Sequence, residues 1–141
     1  DLNVLLRESD FITLHLPLLP QTQHIIGEAE LKQMKPDTFI INAARGGLID
    51  EDALYHSLTT GEIAGAGLDV VENVNPPLNH RLIQLENVIV TPHTAFFSQE
   101  AVLELEERAA EEVARILSGA LPENIVNPEV LSHSRAILPS P

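Results

Sequence analysis

The sequence predicts an α/β protein whose mainly parallel sheet is covered by helices on both faces. Two observations lead there. Short apolar, β-branched runs alternate with helical segments at short intervals along most of the 141 residues. Four of those runs in succession end in a polar residue: His15, Arg45, Asp69 and His93. Parallel strands would bring all four ends to one edge of the sheet, which is where open α/β sheets place their ligands.

Residues 1–9 read as a short helix, with Leu2, Leu5 and Leu6 forming one apolar stripe. Residues 11–16 follow as a strand, ended by Pro17 and Pro20. A helix of about two turns is expected over 28–34, stopped before Pro36. The central stretch is Thr38-Phe39-Ile40-Ile41-Asn42-Ala43-Ala44-Arg45-Gly46-Gly47-Leu48-Ile49-Asp50. It runs from a buried strand through small residues and paired glycines to Asp50, which N-caps the helix 50–60. Ile49 and Leu54 stand at hydrophobic-staple positions, and Gly61 terminates the helix. Residues 63–70 make a small-residue strand, and 88–91 another, halted at Pro92-His93. Ser98 caps a long helix to Leu117, with Val102, Leu105, Ala109, Val113 and Ile116 on one face. Ile125-Val126-Asn127-Pro128 reads as extended chain, and the last ten residues as a loose tail.

Composition narrows the function. A formal net charge of -13 argues against nucleic acid or an anionic membrane as partner. The chain has no cysteine, so disulfides and thiolate metal sites are excluded, and no metal site is expected. No apolar run is long enough to span a bilayer, and no signal peptide is visible; a cytoplasmic protein is the expectation.

The four strand ends carry the chemistry. An arginine beside close-packed backbone offers a planar fork of donors that grips a carboxylate at two points. A histidine passes a proton to or from an oxygen near neutral pH. Small residues at a strand end let a flat ring lie against backbone. Together these residue types suit reversible hydride transfer between a 2-hydroxy acid and a nicotinamide.

Three stretches carry a family resemblance: Ile41-Asn42-Ala43-Ala44-Arg45-Gly46-Gly47-Leu48-Ile49-Asp50-Glu51, Gly65-Ala66-Gly67-Leu68-Asp69-Val70 and Val90-Thr91-Pro92-His93-Thr94-Ala95. They resemble signatures of the D-isomer-specific 2-hydroxyacid dehydrogenases, and Ser9-Asp10-Phe11-Ile12-Thr13-Leu14-His15-Leu16-Pro17-Leu18 resembles a fourth. The resemblance implies a Rossmann-like, doubly wound α/β domain that binds NAD. By it, Arg45 binds the substrate carboxylate and His93 is the proton donor or acceptor. Ala43, Ala44, Arg45 and Asp69 line the nicotinamide end of the cofactor, while His15, Leu16, Pro17 and Thr22 match contact positions further along it. Ala95 follows His93 where the family sets a small residue against the cofactor.

Two departures stand out. The family's Gly-x-Gly-x-x-Gly turn, with its downstream acidic residue for the ribose, is not in this chain. Gly65-x-Gly67 lies inside a strand and lacks the third glycine. Residues 1–124 are therefore expected to be the later half of an NAD-binding domain, with 125–141 returning toward a substrate domain. Without the ribose-binding residues, NADP stays open beside NAD. The second departure is at the glutamate that the family pairs with its histidine. That position holds Val74, and Glu72, two residues earlier, is the nearby carboxylate left to fill the role. Loss of the pair would suit an alternative, a nicotinamide-binding sensor or corepressor of the same fold; an interaction domain without cofactor is a third reading. A homodimer is the expected assembly.

Overall fold

The structure is a computed structural model that describes residues 1–73 and 75–133. Val74, the family's glutamate position, lies outside the described residues, as does most of the expected tail, residues 134–141. The chain divides into two compact units, Asp1–Ala95 and Phe96–Pro141.

In the first unit α1 (Leu2–Glu8), β1 (Phe11–Leu14), α2 (Glu28–Leu31), β2 (Phe39–Asn42), α3 (Glu51–Thr60), β3 (Gly65–Leu68) and β4 (Val88–Val90) follow one another. The sheet order is β1-β2-β3-β4 and every pairing is parallel. The register sets Leu14 beside Asn42, Asn42 beside Leu68 and Leu68 beside Val90. The residues that follow each strand therefore leave the sheet at one level.

Capping explains the helix bounds. The Asp50 carboxylate accepts from the amides of Asp52 and Ala53, satisfying donors the first turn of α3 leaves open. Gly61 ends α3 at φ 75°, a left-handed conformation that costs glycine little. The staple pair Ile49 and Leu54 is buried. Helix α2 is shorter than its sequence suggests: beyond Leu31 the chain tightens into turns, with Gln33 and Met34 amides bonded three residues back.

One face of the sheet carries the core. Ile12, Leu14, Ile40, Ala66 and Leu68 are buried against Leu6, Leu31, Leu54, Leu58 and Leu82. Each such leucine or isoleucine removes enough apolar surface to stabilise the fold by roughly 1.5–3 kcal/mol. The opposite face is bare: Phe11 is 69 % exposed, Phe39 42 % and Ile89 73 %. Topology causes this asymmetry. A sheet that grows in one direction by right-handed crossovers lays every connecting helix on the same side. The second helical layer of a doubly wound fold needs strands added in the other direction, and these four do not supply it.

The second unit holds α4 (Gln99–Leu117), capped by the Ser98 hydroxyl accepting from the Ala101 amide, and a 3-10 segment, Pro128–His133. No residue of α4 is buried. No helix among the described residues is long and apolar enough to cross a membrane.

Candidate active site

Two cavities open at the carboxyl edge of the sheet. One, of about 630 Å³, is lined by Arg45, Gly46, Asp69, Glu72 and His93 together with apolar residues that include Leu18, Val71 and Ile83. The other, of about 550 Å³, is lined by His15, Leu16, Pro17, Leu18, Ala43, Ala44 and Arg45. Leu18 and Arg45 belong to both, so the two cavities meet at the arginine. Nine of the residues singled out from the sequence are thus gathered at one edge, and Thr22 and Ala95 act on loops beside it. The Thr22 hydroxyl donates to the Pro17 carbonyl at 2.7 Å and accepts from the Leu19 amide at 2.8 Å. It folds the loop that brings Leu16, Pro17 and Leu18 to the cavities.

Buried strand-end side chains fold the two loops that bear Arg45 and His93. Asn42, the last residue of β2, is 1 % exposed. Its amide donates to the Arg45 carbonyl at 2.8 Å, and its oxygen accepts from the Ala44 amide at 3.1 Å. The backbone of Arg45 is fixed while its guanidinium is left exposed at the cavity, with Nη1 donating to the Ala44 carbonyl at 2.7 Å. The chain then enters a 3-10 turn, Gly46–Leu48, before α3.

Asp69, one residue beyond β3 and 6 % exposed, does the same for His93. Its carboxylate accepts from the Thr91 hydroxyl, from the Thr94 amide at 2.8 Å and from the Ala95 amide at 2.9 Å. Its carbonyl accepts from the His93 amide at 2.9 Å. These bonds hold His93 at φ 56°, a left-handed conformation that a side-chain-bearing residue rarely adopts unless its surroundings impose it. Burial pushes the Asp69 carboxyl up. The Thr91 hydroxyl, the Ala95 and Thr94 amides and the charge of His93 outweigh that, and hold it below the ordinary value of 3.8.

Glu72 lines the first cavity, and its Oε1 accepts from His24 Nε2 at 2.8 Å. Sequence reasoning singled out neither His24 nor Asn42 nor Gly46. Asn42 had a signal: it shares the inward parity of Ile40, so a polar residue there needed a partner. Gly46 had a weaker one, since a glycine beside an arginine at a strand end suggests close approach. A Cβ there would fall 2.2 Å from the Val71 carbonyl and 2.5 Å from the Glu72 nitrogen.

Paired cavities at the carboxyl edge of a parallel sheet, with small residues at one strand end and an arginine and a histidine lining one of them, stand where open α/β sheets place their ligands. A model of the D-isomer specific 2-hydroxyacid dehydrogenase NAD binding domain matches residues 1–95, and the chain belongs to that family. It is 48 % identical over 127 residues to the D-3-phosphoglycerate dehydrogenase of Methanocaldococcus jannaschii, covering 90 % of this chain and 24 % of that protein. Against the glyoxylate reductase of Thermococcus litoralis it is 46 % identical over 134 residues, covering 95 % and 40 %. Among solved structures, the NAD-complexed D-isomer specific 2-hydroxyacid dehydrogenase of Lactobacillus delbrueckii ssp. bulgaricus superposes with a TM-score of 0.82 at 36 % identity, over 89 % of this chain and 42 % of that one. The chain thus spans less than half the length of these relatives.

Proposed function

We propose that the protein containing this chain transfers a hydride between NAD(H) and a D-2-hydroxy acid or its 2-oxo acid. The observation that carries this reading is the lining of a single cavity by Arg45 and His93, both within the residues the family model matches. The residues fit the cofactor: Ala43 and Ala44 present small side chains beside an open cavity, so a flat ring has room against the strand end. His15, Leu16 and Pro17 continue that cavity, with Thr22 shaping their loop; Asp69 lines the neighbouring cavity with His93, and its carboxylate accepts from the Ala95 amide. The bound nicotinamide would supply or accept the hydride at the substrate carbon. NADP is the alternative cofactor, since one structural relative is described in complex with NADPH.

Arg45 grips the substrate carboxylate through its two-pronged guanidinium and draws electron density from the adjacent carbonyl. In the reductive direction protonated His93 gives its proton to the carbonyl oxygen as the carbon receives the hydride, and the product is the 2-hydroxy acid. In oxidation His93 takes the proton back. The protein works as a cytoplasmic homodimer, with residues 125–141 leading toward a substrate domain and no nucleic acid or membrane as partner.

The test is NADH consumption by the full-length protein with a series of 2-oxo acids, glyoxylate first, since one relative is a glyoxylate reductase. Arg45→Lys keeps the charge but loses the fork; the KM for the 2-oxo acid should rise about tenfold or more and kcat fall, with the KM for NADH little changed. An unaltered kcat/KM in that variant removes Arg45 from the substrate site. Light scattering on the same protein tests the dimer.

A further inference from the structure

Glu72 was the carboxylate nearest in sequence to the position where the family pairs its histidine. In the structure its Oε1 is held by His24 Nε2 at 2.8 Å, across 48 residues of chain. His24 sits at φ 50°, and its amide donates to the Gly47 carbonyl at 2.8 Å. Its backbone is therefore tied to the same turn that follows Arg45, and its ring Nδ1 lies 3.9 Å from the Asp50 carboxylate. The backbone of Glu72 is tied as well. Its amide donates to Glu51 Oε1 at 2.7 Å, and Glu51 is the first residue of α3. The other oxygen of Glu51 lies 3.3 Å from His80 Nε2, both side chains being largely buried at 14 % and 16 % exposure. Arg81 pairs with Asp52 in the next position of the same helix. Glu72, His80 and Arg81 thus make contacts with His24 and the first turn of α3.

Those contacts matter because of where the loop lies. Val71 and Glu72 form one wall of the Arg45 and His93 cavity, and their backbone sits on Gly46 so closely that no Cβ fits between them. Any outward shift of the wall widens the cavity directly beside Arg45. We propose that Glu72 is a positioning residue: its tie to His24, with Glu51 holding its amide, sets the spacing between the 70–72 wall and the turn bearing Arg45. Glu72 thereby acts on the substrate end of the cavity through Arg45, and not as the carboxylate that orients the His93 imidazole. The functional meaning rests on the dehydrogenase reading above; the tie itself does not.

Histidine-ring and backbone NMR of the full-length protein tests the tie without cofactor or turnover. Glu72→Gln should move the His24 ring resonances more than those of His93 and speed exchange of the amides of residues 71 and 72 about two- to fivefold, the range for a half-exposed ion pair. His24→Gln, which leaves Glu72 intact, should speed the same amides comparably. His93 ring resonances moving as much as those of His24 in Glu72→Gln, or an unmoved His24 ring, would overturn the proposal. So would unchanged amide exchange in His24→Gln. In the full-length enzyme Glu72→Gln should raise the KM for the 2-oxo acid about two- to fivefold and leave kcat and the KM for NADH near their starting values. Glu72→Asp, which restores the charge on a shorter arm, should recover part of that loss. A fall in kcat with an unchanged KM would instead place Glu72 on His93. Absence of any NADH-dependent turnover in the unaltered protein would strike the dehydrogenase reading, while the NMR result would still decide the tie.

Discussion

The loops bearing Arg45 and His93 are built by one device with two different side chains. Each is folded by a buried polar residue at the end of the preceding or neighbouring strand: Asn42 for the first and Asp69 for the second. The Asp69 amide donates to the Asn42 carbonyl at 2.9 Å, so the two clamps adjoin. They differ in charge and in what they hold. Asn42 is neutral, makes two side-chain bonds, and releases Arg45 into the cavity with an exposed side chain. Asp69 is anionic, makes three, and forces His93 into a left-handed backbone. On the dehydrogenase reading proposed above, the group that reaches the substrate has a firm backbone and an exposed side chain. On the same reading, the group that exchanges a proton is held through its own amide and those of the two residues after it.

Removing the two clamps separately should expose that difference. Asp69→Ala leaves the Thr94 and Ala95 amides without their acceptor and removes the only anion in this clamp; the expected loss is about 3 kcal/mol. A thermal unfolding scan of the chain measures it, and in the full-length enzyme turnover should fall with it, because the left-handed His93 is no longer imposed. Asn42→Ala removes neutral bonds at a site that is equally buried, and the expected loss is smaller, about 2 kcal/mol. Equal losses from the two variants would mean that the charge of Asp69 adds nothing to its clamp.

Gly46→Ala tests the junction between the Arg45 turn and the opposite wall. The added methyl meets backbone rather than a flexible side chain end, so the wall must move. Overpacking of this kind costs about 1–2 kcal/mol when the loop can yield. The prediction is a modest loss of stability with a larger effect on substrate KM than on kcat. Gly47→Ala, whose Cβ would meet only the Leu18 side chain at 3.2 Å, should cost less. If Gly47→Ala proves as damaging as Gly46→Ala, backbone contact is not what Gly46 provides.

Much of this site was legible in the sequence because a parallel sheet makes strand ends coincide. His15, Arg45, Asp69 and His93 could be grouped from four apolar runs and a rule of topology, before any contact was known. The capping of α3 by Asp50 and its termination at Gly61 were equally local, and both stand. Contacts between distant loops were not legible. Nothing in the chain near Glu72 announces His24, and the pair depends on the turn at Gly46–Leu48, which periodicity does not show because 3-10 turns are too short to repeat. The bare face of the sheet was missed for a different reason. Alternation of strands and helices predicts covering layers, but strand order decides which side the helices take, and order is not written in periodicity.

The smallest expected effect is the most selective one, because it changes a proton and no atom of the fold. Asp69 is more acidic folded than unfolded, held down by the Thr91 hydroxyl, the Ala95 and Thr94 amides and His93 against the opposing cost of burial. Its contribution to stability is therefore fully present above the ordinary value of 3.8 and is lost as pH falls through its lower folded value. Asn42 has no proton to gain in that range. On acidification below 3.8, the amide resonances of Thr94 and Ala95 should shift together with the Asp69 carboxyl carbon, while the Ala44 amide, which donates to Asn42, stays in place. The effect is smaller than Asp69→Ala because a protonated carboxyl still accepts and still fills its space. Asp69→Asn supplies the control: the Thr94 and Ala95 amides should lose their response to acid, since the titrating group is gone. Should Ala44 shift in step with Thr94 and Ala95 in the unaltered chain, the whole carboxyl edge is loosening at once, and the two clamps are not independent.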